Sequence, residues 1–493
     1  MKKTNLNLIP DTINLSPDYY CTWQTQLYAT SNGRPPKQRW IIGEKAMFSE
    51  EKPFGWAYFH EKARGDLLFI MDDSWDVPLD GNTDYYGSLI LNEEKYPTYT
   101  EGKTNAEALK MLTEKMKSLG WKGLGGWVCA QESEFCKVSP EEYWKERMRE
   151  ADESGFAYWK VDWGKKDGDA EFRKMLTDLA REYAPDLIIE QSFTKDVIPY
   201  ADVFRTYDVP AIMSIPMTME KLANYTDVPA PVGKNKGLID CEDEAYIAAA
   251  GGFAMGIMRH PYVGDLPNGS ADPSFPAIHR NLKTKMYEVI RAARFHRIAP
   301  AFAAVGENTR VSPEKLSDTW QFVNIEDEIE GWWLVSMSSI KNFIDENKLL
   351  TKTAPAVIAR NTSLPEIKPS KDGHVPYCMA SKNPNGVFGI VTLGRTIGRD
   401  YFIPKCEVSA DIGDSKIIGV FGEYESLILK TAHEKIGRVL MQDLADETAY
   451  DITELVKTEG GRMIIPGSVI SEIGRSAQPE DDTSEPGVII KID

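Results

Sequence analysis

Through roughly the first 300 residues, short apolar runs alternate with segments whose apolar residues recur at helical spacing. DLLFIMDD (66–73) reads as a buried strand, and NAEALKMLTEKMKSL (105–119) as a helix that stops at Gly120. GLGGWVCA (123–130) supplies the next strand. Ser139-Pro140-Glu141-Glu142 has the form of a capping box with proline at the first helical position, predicting a helix that ends near Gly155. FAYWKVDW (156–163) predicts a strand, and DAEFRKMLTDLAREYA (169–184) a helix capped by Asp169. DLIIEQS (186–192) and DVFRTYDV (202–209) predict two further strands. EDEAYIAAAGGFAMG leads into IMRHPYVGD, and a long helix around 278–297 closes the series. With a first strand near YYCTW (19–23), the pattern amounts to about eight βα units, the α/β pattern of a (β/α)8 TIM barrel over residues 1–310.

From about residue 315 the texture changes. GWWLVSMSS, GVFGIVTLG, SKIIGVFGEYESLILK and GRMIIPG are short β-rich segments separated by turn residues, which predicts a C-terminal antiparallel β-sandwich domain over 311–493. The acidic stretch QPEDDTSEPG (478–487) reads as a surface loop. No internal repeat stands out beyond the βα alternation.

At 493 residues the chain is too long for one compact core, so the two-domain reading agrees with its length. A net charge of −18, from 57 basic and 75 acidic residues, argues against nucleic acid and anionic membrane surfaces as partners. The six cysteines include no Cys-x-x-Cys pair or Cys/His cluster, so zinc is not indicated and reduced thiols in a cytoplasmic protein are expected. No apolar run follows Lys2 and Lys3, so no signal peptide is expected. Nor does any stretch approach about 18 uncharged apolar residues, the length that would span a membrane.

Barrel enzymes carry their reacting groups at the C-terminal ends of the strands. Applied here, that rule selects Asp72, Asp73, Trp127, Lys160, Asp162, Glu190, Arg205 and Asp208. The set is rich in carboxylates and aromatics, includes two cations, and lacks metal-ligand spacing. Such groups suit sugars, because carboxylates bind hydroxyls and stabilise an oxocarbenium-like transition state while tryptophan faces stack on a pyranose.

At these residues the chain resembles a known family. YWKVDWG on the fourth strand resembles the Lys-x-Asp nucleophile motif of glycoside hydrolase clan D, which holds families 27, 31 and 36. FIMDDSW resembles the Asp-Asp-x-Trp signature of the α-galactosidases of families 27 and 36. GSLILNEEKYP (87–97) is similar to the stretch carrying Lys-Phe-Pro before the third strand, and FRTYDV to the Arg…Asp acid/base segment. These motifs follow the family's order, and a β-sandwich after the barrel also fits the clan. The C-terminal third shows no clear sequence similarity to it.

The resemblance implies that Asp162 is the nucleophile and Asp208 the acid/base of a retaining hydrolase. It further implies that Asp72 and Asp73 bind the 4- and 6-hydroxyls, with Trp75 and Trp23 shaping that wall. Lys160 and Arg205 would hold other hydroxyls and keep nearby carboxylates ionised. Three departures from the pattern mark a divergent branch, the first bearing on the acid/base assignment and the second leaving the glycone open. Arg205 and Asp208 stand one residue closer than in typical family 27 enzymes, Glu190-Gln191-Ser192 lacks the cysteine-containing segment that reads the 2-position, and Trp163-Gly164 replaces the usual Cys or Asn neighbourhood. Galactose, N-acetylgalactosamine and L-arabinopyranose remain candidates, as do α-glucan substrates and transglycosylation.

Some residues carry plainer readings. Trp23 and Trp127 suit a core as well as a subsite, and Glu190 is divided between support and ligand contact. His260, with Asp265, reads as a structural hydrogen-bonding residue, and Trp332-Trp333 as filling of the domain interface or sandwich core. Two carboxylates suffice for glycoside hydrolysis, so no cofactor and no metal is implied. The expected partner is an oligosaccharide or glycoside. The sandwich is open to packing on the barrel, completing a subsite or forming a homo-oligomer. A carbohydrate-binding barrel without turnover and a metal-dependent barrel lyase or isomerase are the competing classes. Retention of both aspartates speaks against the first, and the missing ligand cluster against the second.

Overall fold

The structure, a computed structural model, describes the chain except residues 24, 27–40, 51–54, 207–212, 259–284, 304–307, 322–348, 399 and 481. Eight parallel strands close into a barrel in sequential order. They are β1 (Tyr19–Cys21), β2 (Leu68–Met71), β3 (Gly123–Val128), β4 (Tyr158–Val161), β5 (Ile188–Gln191), β6 (Val203–Arg205), β7 (Leu238–Glu242) and β8 (Ala254–Ile257). Pairing of Tyr19 with Gly256 closes the ring.

Side chains alternate between the two faces of each strand. Tyr20, Phe69, Leu124, Trp159, Ile189, Phe204, Ile239 and Met255 join the large core beneath the helices. Tyr19, Leu68, Ile70, Tyr158, Val203, Leu238 and Ala254 fill the barrel interior. One period further along, the inward positions turn polar: Asp72, Lys160, Glu190, Arg205 and Asp240. The barrel is therefore plugged by apolar groups below and floored by charge above.

The connecting helices include α1 (Asn105–Ser118), α2 (Pro140–Ser154), α3 (Ala170–Tyr183), α4 (Ser214–Ala223), α5 (Ala245–Gly251) and α6 (Met286–His296). Their ends follow the local chemistry. Ser139 accepts the Glu142 N–H ahead of Pro140, Gly155 closes α2 in the left-handed region, and Asp169 accepts the Phe172 N–H. A reciprocal capping box forms one helix earlier, between Thr104 and Glu107. The helix expected around 278–297 is described from Met286 onward.

The C-terminal region builds a nine-stranded and a five-stranded sheet, mostly antiparallel. Parallel pairs such as Phe388–Leu393 with Ile417–Phe421 interrupt the antiparallel order. Lys2–Lys3 forms one edge of the larger sheet and Thr309–Val311 the other, so the expected division at 310/311 falls inside a strand of that sheet. Trp332-Trp333 lies outside the described residues.

The stretch 478–487, expected as a surface loop, is instead docked on the barrel. Asp482 and Ser484 are buried and accept the Tyr287 and Glu288 N–H groups in the first turn of α6. The first amides of a helix lack full intrahelical pairing, and the loop supplies acceptors for these two, the Glu288 N–H also reaching the Lys285 carbonyl. Arg360 makes a second tie: its guanidinium donates to the carbonyls of Gly251, Gly252 and Phe302 and lies between the Phe253 and Phe302 rings. All six cysteines are free thiols. Among the described residues no helix is long and apolar enough to cross a membrane.

Candidate active site

Three non-glycine residues with positive φ follow barrel strands at one end: Ser74 after β2 (75°), Phe193 after β5 (69°) and Asp243 after β7 (56°). Side chains avoid this region, and such residues gather where a fold holds a site in place. Asp243 is held by its own carboxylate, which accepts the Met258 N–H just beyond β8.

Asp162 stands at this end, one residue past β4. Trp127 Nε1 donates to its Oδ2 at 2.9 Å, and Arg205 Nη2 is paired with its Oδ1. The backbone is fixed as well. Arg173, fully buried on α3, donates Nη2 to the Asp162 carbonyl at 2.7 Å and Nη1 to the carbonyl of Val161. Burial alone would push the Asp162 carboxyl up. The charges of Arg205 and Lys160, with hydrogen bonds from Trp127 and Arg205, outweigh it and hold the carboxyl below its ordinary range. The side chain keeps 15% exposure, so an ionised carboxylate remains reachable from the mouth of the barrel.

Lys160 lies two residues earlier on the same inward face and donates to Asp72 Oδ2 at 2.8 Å. The Cys21 thiol reaches the same oxygen, also at 2.8 Å, and the Asp72 N–H donates to Thr22 Oγ1. Burial disfavours the ammonium, but Asp72 beside it prevails and Lys160 stays firmly charged. Asp72, Lys160, Asp162 and Arg205 thus form one continuous run of charge across β2, β4 and β6.

The other expected residues take different places. Asp73 is buried and accepts the Ser74 hydroxyl at 2.6 Å, while Trp23 is partly exposed at the end of β1. Trp127 is buried beside Tyr86 and Trp163, so it serves Asp162 through its N–H and has no free face for a sugar. Trp75 corrects the expectation of a sugar-facing wall. It lies outside β3, donates Nε1 to the Trp127 carbonyl and packs near Phe156. Gly126 permits this, since a Cβ there would meet the indole nitrogen at 2.9 Å. Glu190 is fully buried, with its Oε2 taking the Tyr158 hydroxyl at 2.6 Å and its Oε1 lying 3.7 Å from Arg205 Nε. Asp208, His260 and Asp265 lie outside the described residues.

Sequence reasoning passed over β7, which brings Asp240 and Glu242 inward. Glu242 Oε1 is 3.6 Å from Arg205 Nε, and both β7 carboxylates are fully buried. Asp240 is pushed well up, first by burial and then by the charge of Glu190. Its Oδ2 sits with the Tyr19 hydroxyl over Gly256, where a Cβ would come within 2.7 Å of both. The missed signal was Leu238-Ile239 opening a run that alternates into Asp240 and Glu242.

Behind this floor lies a second buried pair. Burial pushes the Asp76 carboxyl up to about 7 despite the Leu89 N–H it accepts and the charge of Lys95, while burial lowers Lys95 to about 8. An unfolded aspartate ionises near 3.8, so the folded chain holds the extra proton between there and about 7. Stability contributed by Asp76 is therefore full at low pH and lost as pH rises through that window. Asp76→Asn is expected to remove that loss, so the variant gains on wild type from pH 4 to 7 in thermal unfolding midpoints. A difference that does not change with pH would contradict this.

Among the described residues no group of three or more His, Cys, Asp or Glu is arranged to hold a metal ion. No protein-family model matches the chain, and no curated protein matches it. Solved structures similar to it include the α-galactosidase of Saccharomyces cerevisiae, at 9% identity over 97% of this chain and 95% of that one, with a TM-score of 0.38. A family 36 α-galactosidase of Geobacillus stearothermophilus shares 11% identity over 99% and 57%, with a TM-score of 0.37. An α-amylase of Anoxybacillus shares 10% over 97% and 98%, with a TM-score of 0.38. Likenesses this distant do not bear on chemistry, which has to be read from the chain's own residues.

Proposed function

We propose that this chain is a retaining, exo-acting α-glycoside hydrolase of the α-galactosidase type, working through a glycosyl-aspartate intermediate. The observation that carries the reading is Asp162, an ionised carboxylate at the inward end of a barrel strand, fixed by Trp127 and Arg205 and still partly exposed. A nucleophile needs both its charge and its aim, and these contacts supply them. The motifs FIMDDSW, YWKVDWG and FRTYDV support the same assignment from the sequence.

In this reading Asp162 attacks the anomeric carbon as the glycosidic C–O bond breaks, and Asp208 protonates the departing oxygen. Asp208 then takes a proton from the water that cleaves the ester. Asp72 and Asp73 accept the 4- and 6-hydroxyls, Lys160 and Arg205 address the others, and Trp23 borders the pocket. The buried Glu190 supports Arg205. Catalysis falls to the barrel, with the C-terminal sheets, of which Thr309–Val311 is an edge strand, packed against it, and the substrate is an oligosaccharide or simple glycoside.

A panel of p-nitrophenyl glycosides tests the class, with the anomer released read by NMR. Cleavage of the α-galactoside with α-galactose appearing first is expected. N-acetylgalactosamine and L-arabinopyranose analogues decide the glycone, and activity on none of the panel counts against the reading. Asp208→Ala is expected to lower kcat/KM on a natural oligosaccharide by about 10²–10⁴-fold. A nitrophenyl leaving group needs no proton, so that substrate should lose far less. Equal losses on both would move the acid role to another group.

A further inference from the structure

We infer that Glu242 is a positioning residue of the catalytic centre: with Glu190 it holds Arg205 from behind and keeps that guanidinium compensated when Asp162 gives up its charge. The inference rests on Asp162 being the nucleophile.

Arg205 is 1% exposed and has carboxylates on both edges. Nη2 faces Asp162, and Nε faces Glu190 Oε1 at 3.7 Å and Glu242 Oε1 at 3.6 Å. Glu190 comes from β5 and Glu242 from β7, the two neighbours of β6, so the clamp is built into the barrel order itself. Both glutamates are fully buried, which suits them to support and not to sugar contact.

The chemistry gives this rear pairing a role. When Asp162 forms its bond to the anomeric carbon and the glycosidic electrons leave with the protonated oxygen, the carboxylate becomes a neutral ester. Arg205 would then lose the charge on its Nη2 edge, and a buried cation that loses a partner is in a costly state. Glu190 and Glu242 keep it paired in the intermediate and return it to Asp162 after hydrolysis. They also draw off part of its field, leaving Asp162 more nucleophilic than a carboxylate sharing a guanidinium with no other group.

Tyr158 donates to Glu190, and burial and the charge of Glu190 hold the Asp240 carboxyl, beside Tyr19, well above the usual carboxylate range. Among the described residues Asp162 faces Lys160 on its own strand, Arg205 on β6, Trp127 on β3 and Arg173 on α3. Asp72 and Cys21 lie beyond Lys160, with Glu190, Asp240 and Glu242 beyond Arg205.

The test compares Glu242→Gln and Glu242→Asp with wild type on the nitrophenyl glycoside that wild type cleaves, over a pH series. Glu242→Gln removes the rear charge, so Arg205 bears more fully on Asp162. Expected are a kcat lowered by about 10–100-fold with KM little changed, and an acid limb of kcat/KM moved to lower pH. Glu242→Asp keeps the charge, so its acid limb should stay at the wild-type position with kcat partly restored. Wild-type kcat and an unmoved acid limb in Glu242→Gln would overturn the inference. So would a loss that tracks the unfolding midpoint with the limb unmoved. Should Glu242→Gln fail to fold, Glu242→Asp decides: a lowered kcat at unchanged KM supports the clamp, and wild-type kcat overturns it. Asp162→Ala run alongside separates the two claims, since activity there would remove the nucleophile assignment itself.

Discussion

Asp162→Ala should lower turnover by roughly 10⁴–10⁶-fold, the scale on which losing a central catalytic group acts, while sugar binding persists. The fold should survive the change. Arg205 keeps Glu190 and Glu242 on its other edge, and the backbone carbonyl at 162 still accepts from Arg173. What is lost is the carboxylate, the attacking group and the acceptor for Trp127 Nε1 and Arg205 Nη2. Formate or azide entering the vacated space is therefore expected to restore part of the turnover on an activated glycoside. Isothermal titration with the free sugar and initial rates measure the two effects. Substantial residual turnover without added anion would end the assignment.

Arg291→Met is expected to destabilise the protein by about 3–5 kcal/mol, because it strands a buried carboxylate. Arg291, on α6, pairs with Asp443 at the end of a strand of the larger sheet through two bonds of 2.8 and 3.0 Å, and neither side chain is exposed. The guanidinium also donates to Gln478 and to the Glu485 carbonyl, so the change loosens the docked loop as well. Adding Asp443→Asn removes the stranded charge, and its single amide oxygen can keep one of the Ala445 and Ala477 N–H groups, which Asp443 accepts on separate oxygens. The double variant should therefore be more stable than Arg291→Met alone. Denaturant midpoints measure both, and simple additivity of two losses would show that the pair is not coupled.

Much of the barrel was legible because its signals are local. Proline at the start of α2, glycine at its end and apolar strands with a period of two mark elements without reference to distant contacts. The strand-end rule likewise selected Asp72, Lys160, Asp162, Glu190 and Arg205, which lie together at one end of the barrel, since each closes an apolar run. β7 escaped because its inward residues are acids. In Leu238-Ile239-Asp240-Cys241-Glu242-Asp243-Glu244 the carboxylates that floor the barrel merge with those of the following turn, and acids are poor strand formers in isolation. Trp75 was misread for another reason. Its place outside β3 depends on Gly126, some 50 residues away in the chain, which no local pattern reveals. The loop 478–487 looked solvated for the same reason, because the α6 amides that its acids cap lie about 200 residues earlier.

The central claim is a covalent step at one carboxylate, and trapping that step tests it most directly. Wild-type protein would be incubated with a 5-fluoro glycosyl fluoride of the preferred glycone, digested and mapped by mass spectrometry. The account predicts one glycosyl adduct per chain, carried by Asp162 in the peptide around YWKVDWG and absent from Asp162→Ala. An adduct on another carboxylate, or hydrolysis proceeding with no adduct and with the inverted anomer appearing first, would contradict it.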